Sequence, residues 1–386
     1  HDILRTAVVW AGLSAPAQVV WRTARLPVEE IIVDADIDDV AGELERRFDP
    51  RHTRIALEEA PLLRAYIAHD PAHQRWLLVL QHHHLVMDHT TLEIALEEVR
   101  HCALGQASPL PESVPFRNFI AQTRLGMSAE EHEAFFQQML GDVEHSTAPF
   151  GLLDIQGDGS TVLECRVPLE AALSGRLRRC ARALGVSAAS LFHLAWGQVL
   201  AKATGQEDVV FGTVLFGRMQ GGDGAERALG MFINTLPLRI KIDQEGVGHR
   251  VRQVHRQLSE LLRHEHAPLA LAQRCSALPA RVPLFTAILN YRHSPQQEAA
   301  GHEGMWAGIE LLSGEERTNY PVSLSVDDLG EGFLLTAQTE RSIDPERLCA
   351  FMRTAIEGLV RALEEAPDTA VHRLEVLPAA ERQQVV

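Results

Sequence analysis

The sequence predicts an α/β protein of two lobes, each a sheet with helices packed on it. Apolar runs of strand length and segments of helical period recur, mixed, along all 386 residues. That length is ample for two buried cores. A stretch rich in Gly, Pro, Ser and Thr (145–160) breaks the pattern near the middle and marks the lobe boundary. The lobes are therefore placed at 1–148 and 149–372. The strands are too unevenly spaced for a barrel or a regular repeat.

The first clear strand is the apolar run Trp76, Leu77, Leu78, Val79 and Leu80, a pattern expected when both faces are buried. Behind it come His82, His83, His84 and Asp88. If 74–84 is extended, His82 and His84 share one face and His83 takes the other. Three such rings cannot converge on one metal, so the run reads as an acid/base site, for which imidazole is suited near neutral pH. Thr90 or Thr91 can cap a following helix that turns Leu92, Ala95, Leu96 and Val99 inward. Helices are predicted near 116–125 and 129–140, the second capped by Ser128 and closed by Gly141. Leu169 to Leu184 and Ser187 to Ala203 follow as helices, the latter capped by Ser187. Asp208 to Phe216 reads as a strand ending at Gly217-Arg218. In Thr235 to Asp243, Leu236, Leu238, Ile240 and Ile242 fall on one face. Strands are expected at 284–291, 320–326 and 333–339. Asp344-Pro345 then opens a long helix as N-cap and first-turn proline, with Leu348, Met352, Ala355, Leu359 and Leu363 inward.

A net charge of −16 argues against nucleic acid as a partner, because phosphate binding needs a basic face. No apolar stretch is long enough to span a bilayer and no signal peptide opens the chain, so a cytoplasmic protein with no membrane partner is expected. Five scattered cysteines read as reduced, mostly core thiols. Gly221-Gly222-Asp223-Gly224 does not join strand to helix as a dinucleotide loop does. His264 and His266 lack the further ligands of a metal site, and no serine sits in a GxSxG elbow.

His83-His84-Leu85-Val86-Met87-Asp88 resembles the HHxxxD core of the condensation domains of non-ribosomal peptide synthetases. Other segments agree in order: Asp208 to Thr213 with Gly217-Arg218, Gly230 to Arg239, His264 to Leu269, Pro283 to Phe285, and Asn319-Tyr320-Pro321. The resemblance covers essentially the whole chain. It implies two chloramphenicol-acetyltransferase-like lobes forming a V with a central tunnel. It also implies amide-bond formation between a donor thioester and an acceptor amine. Both substrates would ride on the 4′-phosphopantetheine of an upstream and a downstream carrier protein, with no cofactor or metal bound by the domain. Leu377 to Arg382 resembles the linker into an adenylation domain, so 373–386 reads as the start of that linker. The opening His1 to Thr6 resembles a segment inside the family's domain, whose first strand and helix are missing here.

By this resemblance His84 is the catalytic histidine, acting as base or amine-orienting group, and His83 is structural. Asp88 is expected to pair with Arg218 and tie the lobes together; its simpler role is an N-terminal helix carboxylate. His82, on the face of His84, is a candidate for added chemistry such as elimination from a β-hydroxy residue, or else a hydrogen-bonded residue ending the strand. His89 replaces the usual glycine, which permits tight backbone conformations. With Thr90-Thr91, and with Thr147 to Leu153, it resembles a branch that epimerises the donor residue. Asn234 and Ser323 are further tunnel candidates: Asn234 could instead bond backbone, and Ser323 could assist an oxyanion or face solvent. The alternatives are a coenzyme A-dependent acyltransferase and a non-catalytic recruitment domain on the same fold.

Overall fold

The computed structural model describes residues 1–34, 36–50, 52–103, 110–154, 162–218, 224, 227–293, 309–314 and 318–385. They form two compact units: His1–Gly126 with Gly217–Ile233, and Met127–Phe216 with Asn234–Val386. This division differs from the expected boundary at 148/149. Residues 127–148 belong to the second unit because their contacts are there: the Thr147 hydroxyl accepts from the Val210 N–H at 2.8 Å, and Thr147 bridges to Phe285. The stretch 155–160 of the expected linker and the loop residues Gly221 to Asp223 lie outside the described residues.

In the first unit, β1 (Thr6–Val9) and β2 (Ala17–Val20) form an antiparallel pair. A three-stranded sheet holds β3 (Val28–Glu30), β4 (Leu63–Asp70) and β5 (Arg75–His82) in that order, with β3 parallel and β5 antiparallel to β4. Helix α1 (Val40–Arg47) packs Val40 and Leu44 with Phe48, Ala68 and Leu77 on one face of this sheet. The opposite face of β5 is uncovered at its start, where Trp76 is 60% and Leu78 58% exposed while Leu77 between them is buried; only towards its end does Leu80 pack against the core of Leu62 and Val86. The expectation of a strand buried on both faces is therefore corrected. Alternate side chains point to opposite faces, and an edge strand with one covered face hides only every second residue. Helices α2 (His89–Ala103) and α3 (Phe116–Leu125) complete the unit. A separate core joins Leu62, Leu63, Val86, Met87 and Phe116 to Ala228, Leu229 and Phe232 of the returning segment.

In the second unit, α4 (Ala129–Leu140) begins at Ser128, the N-cap the sequence predicts, which forms a capping box with Glu131. There follow β6 (Val162–Pro168), α5 (Ala171–Leu184), α6 (Ala188–Thr204), β7 (Asp208–Leu215), β8 (Asn234–Lys241), α7 (Val247–Arg263) and α8 (Leu269–Arg274). The remainder is β9 (Ala287–His293), β10 (Val322–Asp328), β11 (Phe333–Glu340), α9 (Pro345–Glu365) and α10 (Ala379–Val385). The sheet runs β6-β11-β10-β9-β7-β8, with β9 parallel to both neighbours and the other pairs antiparallel. Pro237 is tolerated because β8 is an edge strand. Helix α6 is largely apolar and buried along Ser190 to Ala201, as a core helix must be, with His193 among its few buried polar side chains. Ser187 precedes it, but its hydroxyl bonds Ser190 Oγ at 2.9 Å and caps no backbone N–H. Leu374 and Val376 are buried and Arg347 pairs with Glu381 at 2.9 Å, so the residues read as linker pack within this unit. Cys180, Cys275 and Cys349 are buried free thiols. Among the described residues, no single helix is long and apolar enough to cross a membrane.

Candidate active site

The strand β5 stops at His82, and the next three residues decide the geometry of the site. His83 keeps an extended backbone, its N–H donating to Leu62 O at 3.0 Å. Its carbonyl then accepts from Val86 N, and its ring Nδ1 accepts from Leu85 N at 3.1 Å, closing a 3-10 turn over His84–Val86. The chain is thus not extended through His84, and strand alternation cannot place His82 and His84 on one face. His83 caps the turn with its own ring. Burial, together with the neighbouring His84, pushes its pKa below the usual histidine value, which keeps Nδ1 an acceptor.

His84 is exposed, as is His82 at the strand end. The Nδ1 of His84 lies 2.8 Å from Met87 O. A carbonyl only accepts, so Nδ1 carries the hydrogen and the neutral ring's basic lone pair sits on Nε2. The donor–acceptor pair spans three residues of one tight turn, so the ring's orientation follows the backbone of Met87. That backbone is anchored on both sides. Val86 and Met87 are 0% and 1% exposed in the core with Phe116 and Phe232, and the following Asp88 is held by its carboxylate.

Asp88 is 4% exposed. Its Oδ1 accepts from Thr91 N at 2.8 Å and its Oδ2 from Phe232 N at 3.2 Å. Nη2 of Arg218 lies 3.1 and 3.3 Å from the two oxygens. The carboxylate therefore does both things expected of it: it pairs with Arg218 and it caps α2. The cap of that helix is Asp88 and not Thr90 or Thr91, because Asp88 sits three residues before the N–H it satisfies. Arg218 also donates to Ala228 O at 2.7 Å and stacks over the Phe232 ring at 3.9 Å, while burial lowers its pKa from the ordinary value. Gly217 makes this approach possible. Its φ is +66°, and a Cβ there would lie 1.9 Å from Phe232 O.

Asp88 and Arg218 both belong to the first unit, so the expected tie between lobes is corrected. The ion pair closes within one unit because the chain, after β7, crosses to it for residues 217–233 and then returns as β8. His89 is the first residue of α2 and its Nε2 pairs with Glu93 at 3.2 Å. Among the described residues the only non-glycine positions with positive φ are Gln74 and Phe150. Histidine therefore fits position 89 without the strain that a glycine-only conformation would bring.

Asn234 and Ser323 lie in the second unit. The Asn234 amide donates to Glu265 O at 2.8 Å and Ala267 O at 2.7 Å, pinning the turn after α7 to β8. Ser323 is 5% exposed on β10, which corrects its solvent-facing alternative; its hydroxyl is 3.5 Å from Gln338 Oε1. Among the described residues, no group of three or more His, Cys, Asp or Glu could hold a metal. Two contributors went unread in the sequence, the Met87 carbonyl and the Thr91 hydroxyl. The hydroxyl's partners, Gly230 and Arg218, lie more than a hundred residues away, and no side-chain pattern announces a carbonyl.

Residues 1–386 match the family described as Condensation domain. Malpinin synthetase of Mortierella alpina is 49% identical over 383 residues, which is 99% of this chain but 5% of that far longer protein. A solved four-domain nonribosomal peptide synthetase bound to AMP and glycine superposes with a TM-score of 0.78 at 15% identity, over 99% of this chain and 30% of that one. The condensation domain from Monacolin K polyketide synthase MokA gives 0.72 at 22%, over 96% and 87%. At such identities these two structures show a shared fold.

Proposed function

The chain belongs to the condensation-domain family, and on that premise we propose that it joins a carrier-tethered donor thioester to a carrier-tethered amine, making an amide bond in non-ribosomal peptide synthesis. The observation that carries this reading is His84: an exposed imidazole in the family's motif, fixed through Nδ1 on Met87 O so that Nε2 is the basic nitrogen.

The amine nitrogen attacks the thioester carbonyl carbon, the C–N bond forms and the C–S bond breaks. The proton lost by nitrogen passes to His84 Nε2 and on to the departing thiolate, leaving an amide and a phosphopantetheine thiol. An α-amine titrates near about 7.7–8.0, so roughly a tenth is already neutral at pH 7. Holding the two partners in place can contribute about 7–11 kcal/mol, against about 10²–10⁴ in rate from a general base. Positioning dominates and His84 assists. His83, Asp88 and Arg218 hold the turn that presents it, and Asn234, with its amide spent on two carbonyls, belongs to the architecture. The substrates arrive on an upstream and a downstream carrier protein, with an adenylation domain adjacent. His82, His89 and Ser323 remain substrate-side candidates. An epimerising branch is supported by the His89-Thr90-Thr91 sequence, and elimination by the exposed ring of His82.

The test loads both carriers, adds the chain and determines product mass and stereochemistry. An amide formed from carrier-bound substrates supports the proposal. Equal or better transfer from a coenzyme A thioester overturns it in favour of a free-standing acyltransferase. An inverted donor centre identifies the epimerising branch, and a product one water lighter, lost in His82→Ala, identifies elimination.

A further inference from the structure

Thr91 is fully buried in the first turn of α2, and its hydroxyl makes three contacts, none of them needed by the helix. It donates to Gly230 O at 2.7 Å, accepts from Gly230 N at 3.0 Å, and lies 3.1 Å from Arg218 Nη2. Engaging both the N–H and the C=O of one residue grips a peptide as a neighbouring strand would. Gly230 is also packed against Phe116: a Cβ there would lie 2.1 Å from the ring, so only glycine fits beside it.

We infer that Thr91 is a positioning residue for His84. This rests on the reading of His84 as the base. The path is short and continuous. Thr91 fixes Gly230 and Arg218; Arg218 and Phe232 N fix the Asp88 carboxylate; Asp88 holds the peptide after Met87, whose carbonyl takes the His84 Nδ1 hydrogen at 2.8 Å. Serine could supply the same hydroxyl, but the β-branched methyl of threonine restricts χ1 and keeps the oxygen aimed at Gly230. Loss of the hydroxyl strips a buried N–H and C=O of a partner and lets the turn carrying Met87 shift. A displacement of even 1 Å near a reacting group can cost about 10²-fold in rate.

The test compares Thr91→Val, which keeps shape and loses the hydroxyl, with Thr91→Ser, which keeps the hydroxyl. Thr91→Val should lower kcat about 10- to 100-fold with KM for the acceptor carrier within about threefold, and Thr91→Ser should restore most of it. In the ¹⁵N-histidine spectrum of the chain, the His84 ring should move from the Nδ1–H towards the Nε2–H tautomer in Thr91→Val and stay in place in Thr91→Ser. Parental kcat in Thr91→Val, or lost kcat with an unchanged His84 tautomer, overturns the inference. If His84→Ala itself keeps the parental rate, the base reading fails, while the tautomer measurement still decides whether Thr91 positions the ring.

Discussion

Removing the Asp88 carboxylate should damage the first unit far more than an ordinary surface change. Asp88→Ala deprives the buried amides of Thr91 and Phe232 of their acceptor and leaves a guanidinium whose side chain is 11% exposed facing a void. An unsatisfied buried polar group costs about 1–3 kcal/mol, and breaking a buried ion pair by deleting one partner about 3–5 kcal/mol. Arg218 keeps Ala228 O, the Thr91 hydroxyl and the Phe232 ring, which offsets part of the loss. The expected penalty is therefore about 3–5 kcal/mol, and not the sum of the terms. Asp88→Asn should cost less, because an amide oxygen can still cap Thr91 while its NH₂ meets the Phe232 N–H donor to donor. Urea unfolding gives the total, and amide hydrogen exchange gives the place. Protection at Thr91 and Phe232 should fall in Asp88→Ala, while protection in α6 of the second unit stays. A loss below about 1 kcal/mol with exchange at both amides unchanged would refute this reasoning.

Gly217→Ala should be poorly tolerated, since its φ of +66° and the 1.9 Å approach of Phe232 O both reject a Cβ; a thermal midpoint equal to the parent's would contradict this. His89→Gly should change stability by no more than about 1 kcal/mol, because position 89 is an exposed helix start; a thermal midpoint far below the parent's would contradict this. His193 is buried in α6 between Ala189 O and Thr213 Oγ1, and burial lowers its pKa from 6.5 to about 4. Its neutral form is fully accommodated above pH 6.5. As pH falls from 6.5 towards 4 the unfolded chain takes the proton first, and stability should drop by about 3 kcal/mol. Burial shifts the hydrogen-bonded pair His132 and His264 in the same direction. Urea midpoints that do not fall between pH 7 and pH 5 would count against this, as would a His193→Met variant with the parent's pH slope.

The parts of the fold written in short-range chemistry were legible. Ser128, Asp344-Pro345 and the alternation from Leu236 to Ile242 specify their elements through neighbours a few residues away, and the structure places them as expected. Features set by distant partners were not. The run Trp76 to Leu80 looks buried on both faces, but which face is covered depends on α1. The end of the strand at His83 depends on Leu62 O and on a ring nitrogen turned back on Leu85 N. The return of 217–233 to the first unit depends on Phe116, Met87 and Thr91, all more than a hundred residues away in sequence. At the site the motif identifies His84 and pairs Asp88 with Arg218. The tautomer depends on a backbone oxygen and became visible only in the structure.

The most direct measurement is the single-turnover rate of amide formation between loaded donor and acceptor carriers, with His84→Ala beside the parent and product followed by mass. If the exposed, Nδ1-anchored imidazole serves as the base, His84→Ala slows the reaction about 10²–10⁴-fold while the folded chain keeps the parent's thermal midpoint. A variant that forms the same amide at the parent's rate would contradict that role.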